Sequence, residues 1–214
     1  PMAIEIKQRQ YVIGFDGTGN TADVENEVTN VFKLSKLFKP QEDPPFLYKQ
    51  GVGTKVGETV SGNIWGAGIS ERLVEAYRWL TDQFNYSGRE LDEHKIYVFG
   101  FSRGAYIARI FCWLVDKCGL PADIYQYSVL WGFFLSHVRG QIGLAELDDK
   151  IIHWRESNQY STPQIEMLGV WDTVKTADFG GDGLEFDSRL ANNVKNAYHA
   201  MALDELRTLF PVLR

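Results

Sequence analysis

Runs of apolar residues alternate along this chain between two spacings. Tyr11-Val12-Ile13-Gly14-Phe15 is continuous, as in a strand buried on both faces, and ends in the turn-rich Asp16-Gly17-Thr18-Gly19-Asn20. Thr29-Asn30 opens a helix with Val31, Leu34, Leu37 and Phe38 on one face, and Pro40, Pro44 and Pro45 break it. Phe46-Leu47-Tyr48 reads as a second strand, and Gly57 to Gly68 as a glycine-rich loop. Ile69, Leu73, Ala76, Tyr77, Leu80 and Phe84 then recur at helical spacing. A third strand carries Ile96, Val98 and Phe99. It feeds a helix with Ala105, Ala108, Ile110, Phe111 and Leu114, stopped by Gly119 and Pro121. Residues 122–157 read as helical and aromatic-rich, Ile165–Trp171 as a strand, and residues 188–206 as a last helix with Leu190, Val194, Ala197 and Met201 on one side. Strands alternating with helices imply right-handed crossovers. The expected fold is an α/β domain over residues 1–214, its mostly parallel sheet covered by helices on both faces.

Three polar clusters, at Asp16, Ser102 and Asp172, each follow a predicted strand, where ligands bind in such sheets. The most informative is Gly100-Phe101-Ser102-Arg103-Gly104, a G-x-S-x-G sequence between a strand and a helix. In that context the motif is the nucleophile elbow of α/β-hydrolases. Its glycines remove the side chains that would collide in so tight a turn, and the serine hydroxyl is presented at a helix N-terminus that favours negative charge. The motif therefore predicts acyl or ester chemistry with Ser102 as nucleophile.

A serine hydroxyl needs a base, usually a histidine oriented by a carboxylate, and in this fold the chain order is Ser, acid, His. Asp172 follows Ser102 at a strand end and fits the acid. It also fits a side-chain cap of the next turn. His199 is the one histidine after Asp172, but its place inside the predicted helix suits a structural role beside Asp204 or Glu205 equally well. His94, His137 and His153 come in the wrong order. For an oxyanion hole, one N–H is expected from Arg103 and another from the loop holding Gly17 and Thr18, a segment that reads equally as a plain turn. The aromatic stretch Tyr125, Tyr127, Trp131, Phe133 and Phe134 reads either as a lid over an acyl pocket or as a helix packed on the core.

Composition narrows these options. Hydrophobic content of 44% in 214 residues supports one domain with a sizeable core. A net charge of −6 argues against nucleic acid or an anionic membrane as a general partner. No stretch is long and apolar enough for a transmembrane span, and no signal peptide is apparent; Pro1 before Met2 reads as a scar of tag removal. Cys112 and Cys118 lie in one segment, too close for an easy disulfide, and suit a reducing compartment. No His, Cys or Asp cluster has metal-ligand spacing, so neither metal nor other cofactor is expected. Phosphoryl transfer is disfavoured because no G-x-x-x-x-G-K-[S/T] spacing occurs.

Several segments together resemble the phospholipase effectors of the bacterial type VI secretion system and related α/β-hydrolases of bacteria and fungi. They are Phe15–Asn20, Thr29-Asn30-Val31, Tyr48–Thr54, Ala76-Tyr77, Gly100–Arg109, Gly169–Val174, His199–Arg207 and Phe210-Pro211, in order over nearly the whole chain. The resemblance implies a lipase or phospholipase acting on phospholipid or another acyl ester, with Ser102 as nucleophile and Asp172 as acid. It also implies an antibacterial toxin that is cytoplasmic in its producer and exported without a signal peptide to target-cell membranes, with an immunity or secretion-system protein as partner. Members of this family continue past the Phe-Pro pair to a Trp-Phe-x-Gly-x-His-x-Asp-Val-Gly-Gly segment whose histidine resembles the triad base. This chain ends at Arg214, so the domain is expected to be truncated at its C-terminus; either a missing segment or another chain supplies the base, or His199 serves, or the domain is catalytically incomplete and acts by binding.

Overall fold

The computed structural model describes residues 9–17, 28–38, 45–51, 62–87, 94–174 and 190–202, without the side chains of residues 62–67, 86–87 and 124. Five strands form one wholly parallel sheet: β1 (Arg9–Phe15), β2 (Phe46–Lys49), β3 (His94–Phe101), β6 (Ile165–Trp171) and β7 (Ala197–Ala200), in the order β2-β1-β3-β6-β7. The helices are α1 (Asn30–Leu37), α2 (Gly62–Ser87), α3 (Arg103–Cys118), α4 (Ile124–Val138) and α5 (Leu144–Ser157). The expected architecture is therefore present.

The apolar pattern explains most of it. From Tyr11 to Phe15 every residue of β1 is buried, because β1 is a central strand with β2 on one side and β3 on the other. α3 is almost wholly buried, and its Phe111 ring lies 5.7 Å from that of Phe15. α2 adds Leu73, Tyr77, Leu80 and Phe84 to the core. Thr29 caps α1 as its sequence suggests, its hydroxyl accepting from the Phe32 amide at 3.0 Å. α4 buries Tyr127, Leu130 and Phe134 while Tyr125 stays exposed, so the aromatic segment packs largely on the core. Between α4 and α5 the chain turns at Gly140, whose φ of +66° favours a glycine.

Three features depart from the sequence pattern. α2 begins at Gly62, inside the stretch expected to be loop. Arg72 in its third turn donates to the carbonyls of Gly68, Gln50 and Gly51, tying the N-terminal half of the helix to the end of β2. Second, β4 (Leu120–Pro121) pairs antiparallel with β5 (Tyr160–Ser161); strands of two residues carry no periodicity to read.

The third departure is the correction that matters most. The helix expected over 188–206 is absent from its described part, and His199 lies in strand β7. The apolar positions at helical spacing do not share a face: Val194 is buried, while Leu190 and Met201 are about half exposed, at 48% and 47%. The deciding force is the outer edge of β6, whose backbone groups find partners in this segment. The Leu168 amide donates to the Asn196 carbonyl, the Lys195 amide to Ile165, and the Asp172 amide to Ala200.

Candidate active site

All five strands run the same way, so the segments leaving β1, β3 and β6 emerge at one edge of the sheet. Register fixes their relative heights. Phe15 is opposite Gly100, and Phe101 is opposite Trp171. Ser102 and Asp172 are therefore the first residues past paired positions on neighbouring strands, about 5 Å apart in the pairing direction. On the far side of β6, His199 is opposite Val170 and Ala200 opposite Trp171. The fold thus gathers Asp16, Ser102, Asp172 and His199 at the carboxyl edge.

Ser102 sits at the strand-to-helix turn with φ 56° and ψ −121°, outside the regions that L-residues favour. Its amide donates to the Trp171 carbonyl at 2.8 Å, and its own carbonyl accepts from Ala105 and, across the turn, from Val174. Steric contacts account for both flanking glycines. A Cβ on Gly100 would lie 2.5 Å from the Ala105 Cα, and one on Gly104 would lie 2.2 Å from the Phe15 carbonyl oxygen. The second contact shows that the first turn of α3 rests directly on the end of β1, which brings the elbow and the Asp16 loop together. Arg103 is the first residue of α3, where backbone N–H groups point out of the helix rather than to acceptors within it.

Asp16 is buried at 1% exposure. Its Oδ1 accepts from the Gly17 amide at 2.7 Å, and its Oδ2 accepts from the hydroxyls of Thr29 (2.7 Å) and Tyr48 (2.6 Å). Burial, reinforced by this carboxylate, pushes the Tyr48 phenol far up, so it stays a donor. Asp16 thereby ties the exit of β1 to the cap of α1 and to β2. The tie also occupies the Gly17 amide, one of the expected oxyanion donors. Thr18 lies outside the described residues.

Asp172, like Ser102, has a positive φ. With a φ of 46° it is the other non-glycine residue of positive φ among the described residues. Its Oδ1 accepts from the Ala202 amide. The next residue, Thr173, is fully buried, and its amide donates to His199 Nε2 at 3.2 Å. The imidazole therefore carries its proton on Nδ1. Burial, with the positive charge of Arg109 adding to it, holds His199 below the usual histidine range, while Asp172 pulls the other way.

The other three histidines are far from this chemistry. His94 begins β3 at the opposite end of the strand, stacked on Phe84 with Nδ1 3.1 Å from the Tyr11 hydroxyl. His137 is buried in α4, and His153 is exposed on α5 beside Glu156. The cysteines are buried thiols, and burial pushes that of Cys118 up to about 12, which leaves it inert as a nucleophile. Among the described residues no group of three His, Cys, Asp or Glu could hold a metal ion, and no helix is long and apolar enough to cross a membrane.

The family model "T6SS, Phospholipase effector Tle1-like, catalytic domain" matches residues 9–213. An uncharacterized protein of Saccharomyces cerevisiae is 24% identical over 96% of this chain. A solved structure, the Tle1 effector bound to the VgrG spike of the type 6 secretion system, is 19% identical over 97% of the chain with a TM-score of 0.49. The chain spans 32% of the length of the yeast protein and 48% of the solved chain.

Proposed function

Because the chain belongs to the Tle1-like catalytic-domain family of type VI secretion phospholipase effectors, we propose that it is a serine hydrolase of phospholipid acyl esters, with Ser102 as nucleophile and Asp172 as the triad acid. The observation that carries this reading is backbone strain at one place. Ser102 and Asp172 are the non-glycine residues of positive φ among the described residues, and they leave adjacent parallel strands at the same height. Such conformations cost roughly 1–3 kcal/mol each and persist where function needs a side chain held in an unusual direction.

In this reading the Ser102 hydroxyl oxygen attacks the acyl carbonyl carbon while its proton passes to an imidazole oriented by Asp172. The oxyanion develops in front of the α3 N-terminus, where the Arg103 amide is the first donor. With the Gly17 amide held by Asp16, the second donor in this reading is the Thr18 amide. Expulsion of the lysophospholipid leaves an acyl-serine, which water cleaves by the same route. Of the four histidines His199 alone lies at this edge, and its Nε2 already accepts from Thr173. We therefore assign the base to an imidazole from outside the 214 residues, which makes this chain a catalytic domain needing completion. The site of action is a target-cell membrane reached through a secretion apparatus, with a secretion-spike or immunity protein as partner.

The test is hydrolysis of short acyl esters and of diacyl phospholipid vesicles by the purified chain and its Ser102→Ala variant. Lacking its base, the wild-type chain is expected to run about 10⁴–10⁶-fold below a complete triad enzyme. Its residual turnover should depend on Ser102 and rise when free imidazole is added. Turnover unchanged by Ser102→Ala would overturn the nucleophile. Strong activity that ignores added imidazole and disappears in His199→Ala would make His199 the base.

A further inference from the structure

We infer that His199 is a positioning residue: through its neutral imidazole, strand β7 holds the turn at residues 172–174 and thereby aims the Asp172 carboxylate. The inference rests on Asp172 being the triad acid, and it concerns what sets that side chain.

The turn has few anchors for a segment that must keep a strained residue in place. Asp172 has a φ of 46°, so the chain cannot simply continue the β6 ladder past Trp171. The described bonds that hold the turn are four. The Asp172 amide donates to Ala200, the Asp172 carboxylate accepts from the Ala202 amide, the Thr173 amide donates to His199 Nε2, and the Val174 amide donates to the Ser102 carbonyl. Three of the four come from β7 or the two residues after it, and the fourth ties the turn to the nucleophile elbow. Only the His199 bond comes from a side chain of the neighbouring strand, and Thr173 is fully buried, so water cannot readily replace the imidazole. His199 lies opposite Val170, two residues before Asp172, which puts the ring beside the turn rather than beyond it.

This bond exists in one protonation state. Neutral His199 accepts at Nε2; the imidazolium would present an N–H to the Thr173 N–H, and the bond would be lost. The charged groups acting on the ring are Arg109 from α3 and Asp172 from the turn itself. Burial and Arg109 favour the neutral ring, so its pKa lies below the usual 6.5. The clamp is then complete at neutral pH and opens as the pH falls through that lowered value.

The decisive experiment is an amide NMR titration of the full chain from pH 8 to pH 4.5, with wild type, His199→Gln and His199→Ala. In the wild type, the Thr173 and Val174 amides should titrate together with the His199 ring, with a midpoint below 6.5. His199→Gln keeps an acceptor that does not titrate, so the Thr173 amide should stay exchange-protected and lose its pH response. His199→Ala should lose the protection. A Thr173 amide that ignores the titration, or stays protected in His199→Ala, overturns the proposal.

A second readout separates this idea from the hydrolase reading. Labelling of Ser102 by a fluorophosphonate, with imidazole added, should be within about threefold of wild type in His199→Gln. It should fall about tenfold or more in His199→Ala, the scale expected when a reacting group is misplaced. Equal loss in both variants means His199 acts as the base and overturns the positioning role. No labelling of wild type at all would sink the serine hydrolase reading, while the amide titration would still decide the clamp.

Discussion

The turn after β3 and the turn after β6 present their key residues at the same height on neighbouring strands, yet they are built by different means. The β3–α3 elbow is enforced locally. Within five residues, Gly100 and Gly104 remove the two side chains that would collide with Ala105 and with the end of β1, and the serine between them is left in a strained backbone. The β6–β7 side has no such steric code. Its strained residue, Asp172, is followed by Thr173 and Val174, and its geometry comes from hydrogen bonds supplied by residues 199–202 and by Ser102. One half of the site is set by residues adjacent in sequence, the other by a strand about 30 residues away.

Substitutions should expose this difference. The largest effect is expected for Gly104→Ala, whose Cβ would meet the Phe15 and Asp16 carbonyl oxygens at 2.2 and 2.5 Å. Both are backbone atoms that cannot swing aside. A loss of about 4 kcal/mol is expected in urea unfolding, a large fraction of the stability of a typical domain. A mild effect would mean that the elbow is not sterically enforced.

Asp16→Asn comes next. It puts an amide where a buried carboxylate accepts three hydrogen bonds. The expected cost is about 2–3 kcal/mol by the same measurement, because one bond turns repulsive or a buried donor loses its partner. An Asn variant as stable as wild type would show that the Asp16 tie is dispensable.

Ser102→Gly should go the other way. A glycine takes a φ of 56° without the steric penalty, so the variant should gain roughly 1 kcal/mol while losing all fluorophosphonate labelling. A destabilised glycine variant would argue that the serine side chain, and not the turn, holds this geometry. The smallest effect belongs to the other region. Tyr198 is 62% exposed on β7, and Tyr198→Ser should change stability by no more than about 0.5 kcal/mol in thermal unfolding, since the strand is held through its backbone and through His199. A large loss there would mean that the exposed face of β7 packs against something.

The sequence by itself determined the parts of this protein whose cause is short-range. The continuous apolar run at 11–15, the helical spacing from Ile69 to Phe84 and the glycine pair around Ser102 each have one stable local solution, so the central strands, α2 and the elbow were readable as such. Ser102 and Asp172 lie just past strand ends, as the sequence predicts, because a polar residue closing an apolar run has nowhere else to go in a parallel sheet. Tertiary structure decided the rest. Leu190, Val194, Ala197 and Met201 have helical spacing, but the open edge of β6 offered a hydrogen-bond ladder that outweighed it, and His199 became a strand residue bound to Thr173. The occupation of the Gly17 amide by Asp16 depended likewise on Thr29 and Tyr48 arriving from α1 and β2. Local sterics act between neighbours in the chain and leave a readable motif. Hydrogen bonds between distant strands depend on which edge is left unpaired, and that is settled only when the whole sheet has formed.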